Sequence, residues 1–122
     1  MSRMRAMGGP GRRASANSTL LELTDELSAR VSALRFTGAV DTIYNPLDYA
    51  GASHREYLER FGGRRGVAIL LGMNPGPWGM AQTGIPFGEV GVVRDWLKIK
   101  APIGKPQRDA VRTHRPVFWH FT

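Results

Sequence analysis

Apolar residues along this chain fall into three helical stripes and one uninterrupted run. Leu20, Leu23, Leu27, Val31 and Leu34 recur at steps of three and four, the spacing that places side chains on one face of an α-helix. The spacing predicts an amphipathic helix whose stripe belongs to the core, with Glu26 one turn before Arg30 on the polar face. Thr19 and Glu22 fit a capping box: the hydroxyl accepts from the N3 amide while the carboxylate reaches back to the cap's own N–H, so the helix is expected to begin at Thr19. Ser53 and Glu56 repeat that arrangement ahead of Tyr57, Leu58 and Phe61, and Gly62-Gly63 supplies a stop. The run Val67-Ala68-Ile69-Leu70-Leu71 then reads as a buried strand. Helical spacing returns with Val90, Val93, Trp96 and Leu97, from Glu89 to about Ile99, until Pro102 forbids continuation.

The segments between these elements divide the chain. Met1 to Asn17 holds Gly8-Gly9-Pro10-Gly11 and Arg12-Arg13 but almost no bulky apolar side chain, too little burial to offset the entropy of ordering. Residues 1–18 are therefore expected to be a disordered basic tail ahead of a domain from 19 to 122. The tail lacks the hydrophobic stretch of a signal peptide; a solvated tail is the plainer reading beside a transit peptide or a nucleic-acid arm. Between the two predicted helices, Pro46 holds Asn45 out of the α region, and Tyr44, Asp48 and Tyr49 make an ordered connection that either packs beneath a neighbouring loop or helps wall a pocket.

The residues after the predicted strand, Gly72-Met73-Asn74-Pro75-Gly76-Pro77-Trp78-Gly79-Met80-Ala81-Gln82-Thr83-Gly84-Ile85-Pro86-Phe87-Gly88-Glu89, gather an asparagine, glycines, prolines and two aromatic rings. A turn at the carboxyl end of a strand is where open α/β sheets place their ligands, so this loop is the site candidate. The helix predicted from Glu89 would aim its N-terminus at Gly84 to Gly88, where backbone N–H groups could hold a phosphate or a carbonyl oxygen.

Composition narrows the chemistry. With 122 residues the chain has material for one small domain. There is no cysteine, so disulfides and thiolate metal sites are excluded, and His54, His114 and His120 are too scattered to suggest a metal site. The longest apolar run is the five residues Val67 to Leu71, far short of a membrane span.

Charge is uneven. Residues 1–18 carry four Arg and no acid, residues 19–60 four Arg against seven acids, and residues 61–122 nine Lys or Arg against three acids, for a net charge of +7. The positive field lies on the tail and on the half that holds the candidate loop, and a pI near 10.8 makes a polyanion the natural partner. Lys98, Lys100, Lys105, Arg108, Arg112 and Arg115, interrupted by one acid, Asp109, read as a solvated basic segment able to contact phosphates.

Gly72 to Val90, with Tyr44-Asn45-Pro46-Leu47-Asp48-Tyr49-Ala50 upstream and Val93-Arg94-Asp95-Trp96-Leu97 downstream, resembles the single-strand-selective monofunctional uracil-DNA glycosylases of the uracil-DNA glycosylase superfamily. The resemblance covers about Asp41 to Pro102. It implies the N-terminal portion of a three-layer α/β/α fold around a parallel sheet, with the C-terminal half missing. It also implies base-excision repair, in which uracil or a 5-substituted uracil is flipped from DNA into a pocket and its N-glycosidic bond hydrolysed.

By motif position Asn74 corresponds to the residue that positions the attacking water. An amide cannot ionise, so it orients water rather than acting as a general base. Phe87 matches the aromatic that stacks on the flipped base, Gly76 stands where superfamily members that exclude 5-substituted bases carry a bulky side chain, and Met73 and Met80 line the pocket. Lys98, Lys100, Lys105 and Arg108 are the expected DNA contacts. No metal or organic cofactor is implied; the partner is uracil-containing DNA, single- or double-stranded, met by a monomer that does not engage membranes. Its location would be intracellular: cytoplasm with the nucleoid in a bacterium, the nucleus in a eukaryote.

The family's later Asn, which reads the uracil edge, and its His-Pro-Ser-Pro motif have no counterpart here. Two functions of different class follow: a glycosylase impaired by truncation, whose uracil release depends on Asn74, or a catalytically inactive basic DNA-binding remnant.

Overall fold

The computed structural model describes residues 10–39, 43–63 and 68–106, with side chains from Ser18 onward. Four α-helices occur in it: α1 (Pro10–Ala33), α2 (Pro46–Tyr49), α3 (Gly51–Phe61) and α4 (Met80–Thr83), followed by a π-helical turn, Val92–Trp96. The expected tail falls partly outside this range, at residues 1–9.

The first helix begins at Pro10, so Thr19 lies within it instead of capping it. Proline suits the first helical position, where its missing N–H costs nothing, and beyond Gly11 the residues Arg12, Arg13, Ala14 and Ala16 are strong helix formers. The apolar stripe is also corrected. Leu23, Leu27 and Leu34 are 56%, 52% and 48% exposed, because polar groups set the rotation of α1 about its axis. The Asn45 amide donates to the Ser28 carbonyl at 2.9 Å and to the Ser32 hydroxyl at 2.8 Å, and Arg55 pairs with Asp25 at 2.7 Å. Asn45 serves α2 as well, its Oδ1 accepting from the Leu47 N–H at 3.2 Å in front of a buried Pro46.

Helix α3 follows α2 almost without interruption. Its N-cap is Ala50, whose carbonyl takes the His54 N–H at 3.1 Å. The helix thus starts before Ser53, which is buried inside it and has no hydrogen-bond partner for its hydroxyl among the described residues. The expected stop holds: Gly62 caps α3 with its N–H on the Leu58 carbonyl at 2.7 Å.

Ile85, Val93 and Ile99 form the buried core, with Tyr57, Phe61 and Leu97 packed against it. The helix expected from Glu89 to Ile99 is cut short. Leu97 donates to Val92 across five residues, the wider ring of a π-turn, and Lys98 takes a positive φ of 54°. This winding leaves Val93 fully buried while Trp96 is 78% exposed.

The α/β/α expectation is overturned: among the described residues there is no strand and no parallel sheet. Ala68 to Leu71 has no regular structure, and Ile69, Leu70 and Leu71 are 93%, 75% and 93% exposed. Strand backbone needs a neighbour to take its N–H and C=O groups, and no second segment among the described residues provides one.

The candidate loop is held against α2 and α3. Gly84 ends α4 at φ 73°, and a Cβ there would stand 2.7 Å from the Ala50 carbonyl oxygen and 2.9 Å from its Cβ. Only glycine meets both conditions, a left-handed backbone and contact with another backbone. The Tyr49 hydroxyl donates to the Ala81 carbonyl, so this tyrosine packs beneath the loop, and Gly104 donates to the Tyr49 carbonyl at 2.7 Å. Gly84→Ala is expected to cost about 1–3 kcal/mol, read as a lower urea midpoint; an unchanged midpoint would show that Ala50 can move aside.

Candidate functional site

The site loop has a tied half and a bare half. In the tied half Thr83 is fully buried. Its hydroxyl lies 2.8 Å from the Gly88 carbonyl and 3.2 Å from that of Gly79, and accepts from the Ile85 N–H at 3.1 Å. The Gly88 N–H returns to the Ile85 carbonyl at 2.9 Å, closing a tight turn with Pro86 and Phe87 at its corner. Phe87 takes a positive φ of 56°, a strained conformation for a bulky residue. It presents a ring that is 63% exposed.

The bare half reaches that ring at one point. A Cβ on Gly72 would lie 3.4 Å from the Phe87 Cζ. Met73 is 99% exposed. The Asn74 amide is exposed too, with a single long contact of 3.5 Å to the neighbouring Pro75 carbonyl, so its hydrogen-bonding capacity is uncommitted within the loop. Gly76 has open space around its Cα: an added Cβ meets nothing within 4 Å. Its carbonyl accepts from Gly79 and Ala81, which anchors the start of α4 and half-buried Met80. Gly72 and Phe87 thus bring the two halves together, while Met73, Asn74 and Gly76 extend beyond the packed part.

A cavity of about 620 Å³ opens beside the loop, lined by Tyr57, Arg60, Phe61, Ile85, Pro86, Phe87, Gly88, Val92, Trp96 and Leu97. Of the expected site residues only Phe87 borders it. Lys98, Lys100 and Lys105 are exposed; Arg108 lies outside the described residues. The segment carrying Lys98 and Lys100 is fastened to α3 by Glu56, which accepts from the Lys100 and Ala101 N–H groups at 3.3 and 3.1 Å. Arg60 bridges Glu56 and the Lys98 carbonyl at 3.0 and 3.1 Å.

The N–H groups expected to receive a phosphate at the start of the last helical segment are already occupied. The Glu89 carboxylate accepts from the Val92 N–H at 3.1 Å, and the N–H groups of Gly91 and Val92 hold its carboxyl below the usual carboxylate range. Sequence reasoning missed this cap, although Glu89 one turn ahead of Val92 was visible in the sequence. It also missed His54, which is 7% exposed and joins three parts of the fold. Its Nδ1 donates to the Gly84 carbonyl at 2.6 Å, and its Nε2 lies 3.5 Å from Thr24 Oγ1 on α1. The Thr24 hydroxyl proton is directed at the Leu20 carbonyl, 2.9 Å away.

The chain is 50% identical over 97 residues to the single-strand selective monofunctional uracil DNA glycosylase of Mus musculus. Identity is 50% to the protein of Rattus norvegicus and 47% to that of Bos taurus over the same length. By sequence the chain is a homologue of these glycosylases. The match takes in 80% of this chain but 34% of each relative, so the homologous part is about a third of those glycosylases. A match that long cannot avoid Gly72 to Glu89, since too few residues remain at either end. No protein-family profile matches the chain.

In this glycosylase homologue His54 makes the seat of the site loop sensitive to acid. Burial lowers its pKa below the ordinary 6.5, partly countered by its bond to Gly84 and reinforced by the nearby Arg55 charge. A histidine whose folded pKa is depressed binds its proton more readily when unfolded, so stability falls as pH drops below about 6.5 and is recovered above it. The melting temperature is expected to decline from pH 7.5 to 5.5, and His54→Asn is expected to flatten that slope. A slope that the variant leaves unchanged would assign it to other groups.

Proposed function

We propose that this chain takes part in base-excision repair as a uracil-DNA glycosylase, hydrolysing the N-glycosidic bond of uracil and of 5-substituted uracils in DNA. The observation that supports this reading is the 50% identity to named single-strand selective monofunctional uracil DNA glycosylases across 80% of the chain. Its site of action is intracellular and DNA-associated, and it works as a monomer on single- or double-stranded DNA.

In this reading the Phe87 ring stacks on the flipped pyrimidine, because an exposed aromatic face suits a planar base. The Asn74 carboxamide orients the water that attacks the sugar carbon. The base leaves as an anion from a cationic, oxocarbenium-like sugar, so fixed dipoles around the reacting atoms must do most of the work. Asn74's uncommitted amide is consistent with such a dipole. The open space at Gly76 is room for a substituent on the base, with Met73 and Met80 as apolar lining. Lys98, Lys100, Lys105 and Arg108 neutralise phosphates along the strand.

The test is release of uracil from a single-stranded uracil-containing oligonucleotide, scored as alkali-labile abasic sites. Asn74→Ala is expected to lower release by about 10²-fold or more. Release that survives the substitution removes Asn74 from the mechanism, and no release from the folded parent leaves DNA binding without chemistry. Gly76→Tyr, which the fold has room for, is expected to reduce release of a 5-substituted uracil about tenfold more than release of uracil. Equal loss for both bases would show that Gly76 does not set selectivity.

A further inference from the structure

The cavity beside the loop is not accounted for by the roles proposed above. Its lining includes Ile85, Tyr57 and Phe61 together with Phe87, Trp96 and Arg60. Its volume of about 620 Å³ falls within the range of small-ligand sites. Two of the lining rings are unusually open for their size, Phe87 at 63% and Trp96 at 78% exposure. Phe61 and Tyr57 pack on one another with ring centroids 5.4 Å apart, and the Arg60 guanidinium stands 5.1 Å above the Phe61 ring. Exposed rings bordering a common hollow offer planar apolar faces that water solvates poorly, and these faces suit aromatic ligands.

Charge selects among aromatic ligands. Of the acids on the segments lining this groove, Glu56 gives its carboxylate to Arg60 and to the Lys100 and Ala101 N–H groups, and Glu89 gives its own to the Val92 N–H. Asp95 is likewise paired, with Arg94 at 2.7 Å. Lys98 and Lys100 lie exposed on the segment that directly follows Trp96 and stand in no ion pair among the described residues. A groove with aromatic lining, followed in the chain by exposed cations, matches a nucleotide, with its base against the rings and its phosphate by the lysines.

We propose that this groove seats an unpaired base of a single DNA strand next to the nucleotide under attack, with Trp96 as its stacking surface. The idea rests on the glycosylase reading for its neighbour, since Phe87 borders both places. It adds a second base contact that is indifferent to base identity and needs no chemistry. A base engaged in a duplex is stacked and paired and cannot enter, so the seat acts on single strands only.

The experiment titrates the full chain against a fluorescein-labelled, uracil-free oligothymidylate and reads anisotropy. Trp96→Ala is expected to weaken binding about 5- to 100-fold, the range for loss of one base–aromatic stack, and Trp96→Phe to restore most of it. Trp96 is largely outside the core, so circular dichroism of the variants should match the parent. Binding by Trp96→Ala within about twofold of the parent, or failure of the parent to bind, would overturn the seat. So would equal weakening by Trp96→Phe and Trp96→Ala. Uracil release is measured in parallel: a Trp96 effect without release sinks the glycosylase reading and keeps the seat, whereas release with no Trp96 effect does the reverse.

Discussion

The close approach of Gly84 to Ala50 holds this structure together. One backbone lies against another there with no room for a single added carbon, and the His54 imidazole fastens the contact by its bond to the Gly84 carbonyl. Everything around the site takes its place from that point. On one side it fixes the junction of α2 and α3, to which α1 is tied through Asn45. On the other it fixes the end of α4 and the turn that carries Phe87. Such contacts are cooperative because each backbone group is placed by its neighbours, and a polar link buried among them contributes more than it would in water.

Different parts of the loop are therefore held to different degrees. Thr83 gathers Gly79, Ile85 and Gly88 around one hydroxyl, and this local network sustains the unfavourable backbone of Phe87. Met73 to Trp78 have few such ties and little burial. Residues with few buried contacts open at low free-energy cost. The Phe87 ring therefore sits on a firmly held turn, while the Asn74 amide sits on a loosely held one.

The family likeness was legible in the sequence, the architecture less so. The loop from Gly72 to Glu89 could be read because its glycines, prolines and asparagine form a long specific string, and that string lies within the stretch that is 50% identical to a named single-strand selective monofunctional uracil DNA glycosylase. Gly62 marked the end of α3 and Pro46 kept Asn45 out of the helical region, whereas the short helix that begins at Pro46 was read as a connection. The apolar stripe of α1 misled, since Leu23 and Leu27 have helical spacing yet Asn45, more than fifteen residues away, turns the serine face inward. The parallel sheet failed for a similar reason: strand propensity in Val67 to Leu71 is local, while a sheet requires a partner segment. His54 and Thr83 were silent in the sequence because their importance lies in which carbonyl groups they meet.

Ile69, Leu70 and Leu71 bear on how the chain behaves in bulk. Three adjacent aliphatic side chains open to water, with neither charge nor proline among them, make a sticky segment that can zip onto copies of itself. The net charge of +7 opposes this by keeping molecules apart. That repulsion reaches only about 10 Å at 0.1 M salt and shrinks further as salt rises. Colloidal stability thus sets two demands against each other: dilute buffer keeps the chain dispersed, and the concentrated salt used to strip nucleic acid from a basic protein brings the sticky segments together.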